Sequence, residues 1–203
     1  MIVAGITGTM GTGKSAIARM FQNLGAYIID YDELARKVVE PGNKAWQKLV
    51  DNFGEVILNA DKTVNRQKLA DIVFSNPEKL RQLNSIIHPE VFSEDHRLTQ
   101  ERGKIAPDGL IIKDIPLLIE LGPEISRKLV DKIIVVYASP EVQLRRLISR
   151  GVEKNDALNR IKNQIPIEEK IKFADFVINN DGTPEETQRQ VVKIYQQLMS
   201  ESA

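Results

Sequence analysis

Gly8-Thr9-Met10-Gly11-Thr12-Gly13-Lys14-Ser15 reads G-x-x-x-x-G-K-[ST], and it stands between an apolar run, Ile2-Val3-Ala4-Gly5-Ile6, and a helix-like stretch, Ala16-Ile17-Ala18-Arg19-Met20-Phe21. A strand that turns through glycines into a helix is the setting of a phosphate-binding loop. Glycines let the backbone curl until successive N–H groups face an anion, and the helix start adds orphan donors and positive dipole. Gly8, Gly11, Thr12 and Gly13 are therefore the expected cradle of a nucleoside triphosphate. Lys14 is expected to reach the β- and γ-phosphates and Ser15 to ligate Mg²⁺. The bland alternative is a glycine-rich turn with no ligand.

Outward from this loop, short β-branched runs alternate with longer amphipathic stretches, which is the α/β pattern of a parallel sheet covered by helices. Strands are expected at Ile2 to Thr7, Tyr27 to Asp30, Gly109 to Asp114, Lys132 to Tyr137 and Phe176 to Ile178. Five strands make a small doubly wound, three-layer fold. Between the second and third, about 32–107, lies an insertion with helix signals at Asn43 to Phe53, Arg66 to Phe74, Pro77 to Ile87 and Pro89 to Arg102. Ser139-Pro140 and Thr183-Pro184-Glu185-Glu186 each read as a capping hydroxyl followed by an N-terminal proline. The core then comprises 1–31, 108–142 and 174–203, all in a single domain.

The chain has 203 residues, enough to bury a real core, and Lys plus Arg equals Asp plus Glu at 28 each. Such a balance argues against a nucleic-acid scaffold. The absence of cysteine rules out disulfides and thiolate metal sites and is compatible with a reducing cytoplasm. No apolar stretch approaches the roughly 18 residues of a membrane span, and the apolar N-terminus runs straight into the loop, so it reads as a core strand rather than a leader.

Acids gather where two strands end. In doubly wound sheets ligands sit beyond the carboxyl ends of the strands, so Asp30 and Asp32, in Ile29-Asp30-Tyr31-Asp32-Glu33-Leu34-Ala35-Arg36, are aimed at that crevice. They would share a face if the strand persisted to Asp32. Phosphoryl transfer needs a carboxylate to orient or deprotonate the attacking hydroxyl, and Asp32 is the candidate. It could equally cap a helix from Glu33 to Val39. Asp114 ends the apolar strand before Pro116 and is placed to orient Mg²⁺, or else to cap the strand or join an ion pair. Between Arg145 and Lys172, basic residues including Arg146, Arg150 and Arg160 outnumber acids. About 143–173 is therefore a candidate lid over anionic phosphates, or a solvated helix face.

Taken together, I-T-G-x-x-G-T-G-K-S at Ile6 to Ser15, I-D-Y-D-E-L-A-R at Ile29 to Arg36, Glu40-Pro41-Gly42, His88-Pro89, D-I-P-L-L-I-E at Asp114 to Glu120, and R-I-K-N-Q at Arg160 to Gln164 closely resemble the dephospho-coenzyme A kinase family. Lys170, Ala174-Asp175 and Asn180 extend the match. The resemblance implies a P-loop kinase in which ATP phosphorylates the ribose 3′-hydroxyl of dephospho-CoA, giving CoA and ADP. By matching position, Asp32 is implied as the catalytic carboxylate, Lys14 as the phosphate clamp and Ser15 as a magnesium ligand. Arg36, Arg66, His88, Pro116, Leu117, Glu120 and Arg160 are implied on the acceptor side, and Arg146 and Arg150 beside ATP. A histidine before proline is also a common cap or packing residue.

Four positions depart from the family pattern. Thr9 and Met10 replace a usual Gly-Ile, Ala16 stands where a threonine often meets the α-phosphate, and Tyr31 replaces a frequent alanine. The lost hydroxyl at Ala16 costs about 0.5–1.5 kcal/mol of nucleotide affinity. Another small-molecule kinase, such as a nucleoside monophosphate kinase, would share the loop, acid and lid, because fold does not fix the acceptor. A nucleotide-dependent switch is the reading from a different class, but no N-K-x-D base-reading motif occurs in a fitting place.

Overall fold

A computed structural model describes residues 1–202, which divide into two compact units, one of 1–30 with 102–202 and one of 31–101. In chain order the elements begin with β1 (Ile2–Thr7), α1 (Lys14–Asn23), β2 (Tyr27–Asp30), α2 (Tyr31–Lys37), α3 (Lys44–Phe53), α4 (Arg66–Phe74) and α5 (Pro77–Ile105). They continue with β3 (Leu110–Asp114), α6 (Pro123–Leu129), β4 (Lys132–Tyr137), α7 (Pro140–Ser149), α8 (Lys154–Lys162), α9 (Ile167–Ile171), β5 (Phe176–Asn179) and α10 (Pro184–Ser202).

Among the described residues of the first unit, five strands form one parallel sheet in the order β2-β3-β1-β4-β5. β1 therefore lies centrally between β3 and β4, and the chain goes to one side of it first and to the other later. Its carboxyl end is the switch point where such sheets bind ligands. On one face Ala4 and Ile6 meet Ile17 and Phe21 of α1 and Val191 and Leu198 of α10, all buried. Burying one such side chain completely is worth about 1.5–3 kcal/mol. That packing anchors α1, and with it the loop between β1 and α1.

The helix starts are only partly as the sequence suggests. Before α10, Thr183 and Glu186 form a reciprocal capping box: Thr183 N–H donates to Glu186 Oε2 (2.8 Å) and Glu186 N–H to Thr183 Oγ1 (3.3 Å). Ser139 precedes α7, but its hydroxyl does not cap the helix. Its N–H (2.8 Å) and Oγ (3.2 Å) instead donate to Asp181 Oδ1, a charge-assisted pair that turns the hydroxyl away from the first N–H groups of the helix. The segment 143–173 belongs to this first unit.

The second unit is helical apart from an antiparallel bridge between Leu58 and Val64. Its core draws Leu34 from α2, Leu49 from α3, Leu69 and Val73 from α4, and Ile86 and Val91 from α5. Asn65 caps α4, its Oδ1 accepting from Lys68 N–H (3.0 Å). The two helices expected on either side of His88-Pro89 are one, α5, with Pro89 inside it. Proline forfeits a helix hydrogen bond, yet Ile86 and Val91, buried on either side, reward helical backbone through the break. Among the described residues no helix is long and apolar enough to cross a membrane.

Candidate active site

The loop between β1 and α1 has the backbone that its sequence requires. Gly11 and Gly13 hold φ at +85° and +91°, the left-handed region that only glycine enters at little cost. A Cβ at Gly11 would also stand 2.8 Å from the Gln143 carbonyl oxygen. Gly13 directly precedes α1 and its carbonyl accepts from Ala16 N–H (3.0 Å) and Ile17 N–H (3.3 Å). Helix geometry leaves the first N–H groups of α1, at Lys14 and Ser15, without intrahelical acceptors, so this end presents donors and positive dipole to an anion. Gly8 and Thr12 are buried, whereas Ser15 and Ala16 are exposed.

Side chains from distant elements brace this loop from outside. Thr9 Oγ1 donates to Gln143 Oε1 (2.8 Å), and Gln143 Nε2 donates to the Ala138 carbonyl (2.7 Å), both within the interior. Thr12 Oγ1 donates back to the Thr9 carbonyl (2.9 Å). The Thr12 carbonyl accepts from Asn180 Nδ2 (2.7 Å) and Arg146 Nη1 (3.1 Å), and Arg146 Nη2 donates to the Asn180 carbonyl (2.7 Å). Met10 N–H donates to Gln164 Oε1 (2.8 Å). With its carbonyls held from behind, the loop can turn its remaining N–H groups toward a bound anion. Arg146 thus grips the loop itself. Thr9, a departure from the family pattern, supplies a buried hydrogen bond that glycine there could not make.

Lys14 donates to Asp114, and both side chains are largely sheltered, 14% and 5% exposed. Asp114 ends β3, where it lies in register with Ile6 of β1 and Asp30 of β2. Two carboxylates therefore stand on neighbouring strand ends. The ion-pair alternative for Asp114 is realised, and it leaves the metal role open, since a carboxylate offers several lone pairs and an ammonium three donors. Pro116 follows at the strand exit, its carbonyl accepting from Thr7 Oγ1 (3.0 Å).

In the second unit Asp32, Arg36 and Arg66 line a single cavity of about 410 Å³ with Ala35, Val39, Leu49, Val64, Leu69 and Ile87. Asp32 is exposed, as are Arg36 and Arg66. β2 ends at Asp30 and α2 begins at Tyr31, so Asp32 sits inside the first turn, not at a cap position before Glu33. Nor do Asp30 and Asp32 share a strand face, because the strand does not persist. Tyr31 is buried, and burial, with the Asp95 carboxylate beside it, raises its phenol well above the ordinary value. α2 is tied to α5 by Lys37 Nζ donating to Glu94 Oε1 (2.9 Å). His88 lies outside the cavity lining, tilted against Phe92 with ring centroids 6.0 Å apart, and desolvation lowers its imidazole below the ordinary value.

The remaining candidates are dispersed. Leu117 is half exposed. Glu120 pairs with Lys170, whose side chain is completely buried, at 2.7 Å. Arg150 is exposed at the end of α7, and Arg160, also exposed, pairs with Asp156 one turn earlier in α8 (2.7 Å). Sequence reasoning missed Gln143 altogether and missed the brace as a function for Arg146, Asn180 and Gln164. Its only sequence signal was the unusual Thr9, whose partner no local pattern could name.

The model of the dephospho-CoA kinase family matches residues 1–186. The chain is 44% identical over 200 residues to the dephospho-CoA kinase of Syntrophus aciditrophicus strain SB, covering 98% of this chain and 84% of that one. Among solved structures, TT1252 from Thermus thermophilus superposes with a TM-score of 0.82 at 32% identity, covering 97% of this chain and 96% of that one. A dephospho-CoA kinase from Campylobacter jejuni superposes with a TM-score of 0.65 at 28% identity, again over 97% and 96%.

Proposed function

The chain belongs to the dephospho-CoA kinase family, and from that premise we infer how its residues divide the work of moving the γ-phosphoryl group of ATP to the ribose 3′-hydroxyl of dephospho-CoA, the last step of CoA synthesis. The ATP tail lies in the loop between β1 and α1, held by the backbone N–H groups of Gly11, Gly13, Lys14 and Ser15 and by the Lys14 ammonium. The positive φ at Gly11 and Gly13 and the outward hold on the loop's carbonyls support this.

Ser15 and Asp114 offer a hydroxyl and a carboxylate, hard oxygen donors of the kind Mg²⁺ prefers. Among the described residues no group of three acidic or histidine side chains could hold a metal alone, which suits an ion that completes its shell with water and phosphate. When bound, Mg²⁺ neutralises charge on the β- and γ-phosphates.

The acceptor is held by the helical insertion at 32–107. Arg36 and Arg66 pair with its diphosphate, and the apolar lining of the same cavity takes part of its pantetheine arm. Asp32 accepts the proton of the 3′-hydroxyl as its oxygen bonds to the γ-phosphorus. The bond from that phosphorus to the β,γ-bridging oxygen breaks, and ADP leaves. The segment 143–173 acts as a lid that excludes water, bringing Arg150 and Arg160 to the phosphates while Arg146 shapes the cradle. A reaction between ATP and a free coenzyme precursor suits the cytoplasm.

The observation that carries this reading is the shared cavity of Asp32, Arg36 and Arg66. A coupled ADP-release assay tests it, with one CoA expected for each ADP and little release without dephospho-CoA. Rapid phosphorylation of a nucleoside monophosphate with none of dephospho-CoA would overturn it.

A further inference from the structure

The contact between Met10 and Gln164 joins residues 154 positions apart, and it uses the loop's backbone rather than a side chain. Met10 itself is exposed, so its place is not fixed by burial. Gln164 follows the end of α8 and turns sharply there, its own N–H donating to the Ile161 carbonyl (3.3 Å). Within α8 only Ala157 is buried, so apolar packing holds this helix weakly. The bond from Met10 N–H to Gln164 Oε1 ties its carboxyl end to the loop. Arg160 lies one helical turn before Gln164 and moves with it.

We propose that Gln164 is a positioning residue: its carboxamide oxygen docks the α8 segment on the phosphate loop at Met10 N–H, and this holds Arg160 over the phosphates and keeps water from the γ-phosphoryl group. The proposal rests on ATP occupying the loop and on 143–173 acting as the lid. It predicts that the acceptor atom, not the amide nitrogen or the bulk of the side chain, is what matters. Gln164→Glu keeps an oxygen for Met10 N–H but adds a negative charge near the triphosphate. Gln164→Ala removes the contact.

The test compares wild type, Gln164→Ala and Gln164→Glu in full kinetics with dephospho-CoA and in ATP hydrolysis without it. For Gln164→Ala the expected results are a KM for ATP raised about 2- to 12-fold, as for one lost hydrogen bond, and a larger share of ATP spent on water per CoA formed. For Gln164→Glu that share returns toward wild type, while the KM for ATP stays high and depends on salt. A wild-type KM and wild-type share in Gln164→Ala would overturn the proposal. So would a Gln164→Glu enzyme that wastes as much ATP as the alanine variant. If Gln164→Ala does not fold, Gln164→Asn, one methylene too short to reach, replaces it with the same expected results. Failure of the wild type to phosphorylate dephospho-CoA would instead refute the assigned reaction, and hydrolysis in ATP alone would still report docking.

Discussion

Lys14 and Asp114, one at the start of α1 and the other at the end of β3, form an ion pair 100 residues apart in the chain. The pair ties the proposed phosphate clamp to the carboxylate proposed for the metal. Lys14→Ala is expected to lower kcat about 10²- to 10³-fold, the usual loss when one charge-stabilising donor goes. Asp114→Asn should raise the Mg²⁺ concentration for half-maximal rate about 10- to 100-fold. A magnesium titration of the steady-state rate checks this. An unchanged midpoint alongside a lowered kcat would assign Asp114 to Lys14 alone.

Asp32→Asn preserves volume and removes the proposed proton acceptor. Turnover is expected to fall about 10²- to 10⁴-fold while ATP affinity holds, since a positioned base acts on the chemical step. Single-turnover kinetics with a parallel ATP titration reads both. Wild-type turnover would move the role to Asp30, whose place in register with Asp114 makes it the next to test.

Thr9→Val keeps the shape of the side chain but leaves Gln143 Oε1 without its donor, in an interior where Gln143 is 1% exposed. An acceptor stranded in this way costs about 1–3 kcal/mol. The urea midpoint should fall accordingly, with a rise in the KM for ATP as the loop loses its brace. A stable variant with a normal KM would mean that the bond is incidental.

Lys170 is wholly buried and faces Glu120. Glu120→Leu leaves an ammonium with no countercharge and is expected to cost about 3–5 kcal/mol. Glu120→Leu with Lys170→Met removes both charges and should recover most of that loss. Chemical denaturation of the two variants decides it, and a double variant as unstable as the single one would contradict the account.

Glu94 is held down to about 2 by hydrogen bonds, first from Arg97 and then from Lys37. A carboxyl whose folded value lies below its ordinary 4.5 contributes stability that is fully present above 4.5 and is lost as pH falls toward about 2. Glu94→Gln should therefore flatten the decline of stability across that acidic window and lower stability near neutrality. Thermal melts at several pH values test the sign. A variant as steep as wild type between those limits would place the dependence elsewhere.

The sheet was legible because each strand advertises itself over a few neighbouring residues. Ile2 to Thr7, Tyr27 to Asp30 and Lys132 to Tyr137 fall where their β-branched runs put them. The break at Pro89 was misread for the opposite reason: proline is a local signal, and the burial of Ile86 and Val91 that overrides it is not. The alternative reading of Asp32 as a cap before Glu33 is not realised, since the strand hands the chain directly to a helix at Tyr31.

The sequence by itself determined the phosphate loop, whose glycines, lysine and serine are contiguous and whose geometry follows from backbone freedom and a helix start. It also supplied the acids and arginines to which the chemistry is proposed to fall. Only the tertiary structure decided that Gln143, Gln164 and Asn180 would close on that loop from 134, 154 and 168 residues away. Strand order and helix packing set those meetings, and nothing in the spacing of residues along a chain records which distant amide will meet which hydroxyl, N–H or carbonyl of the loop.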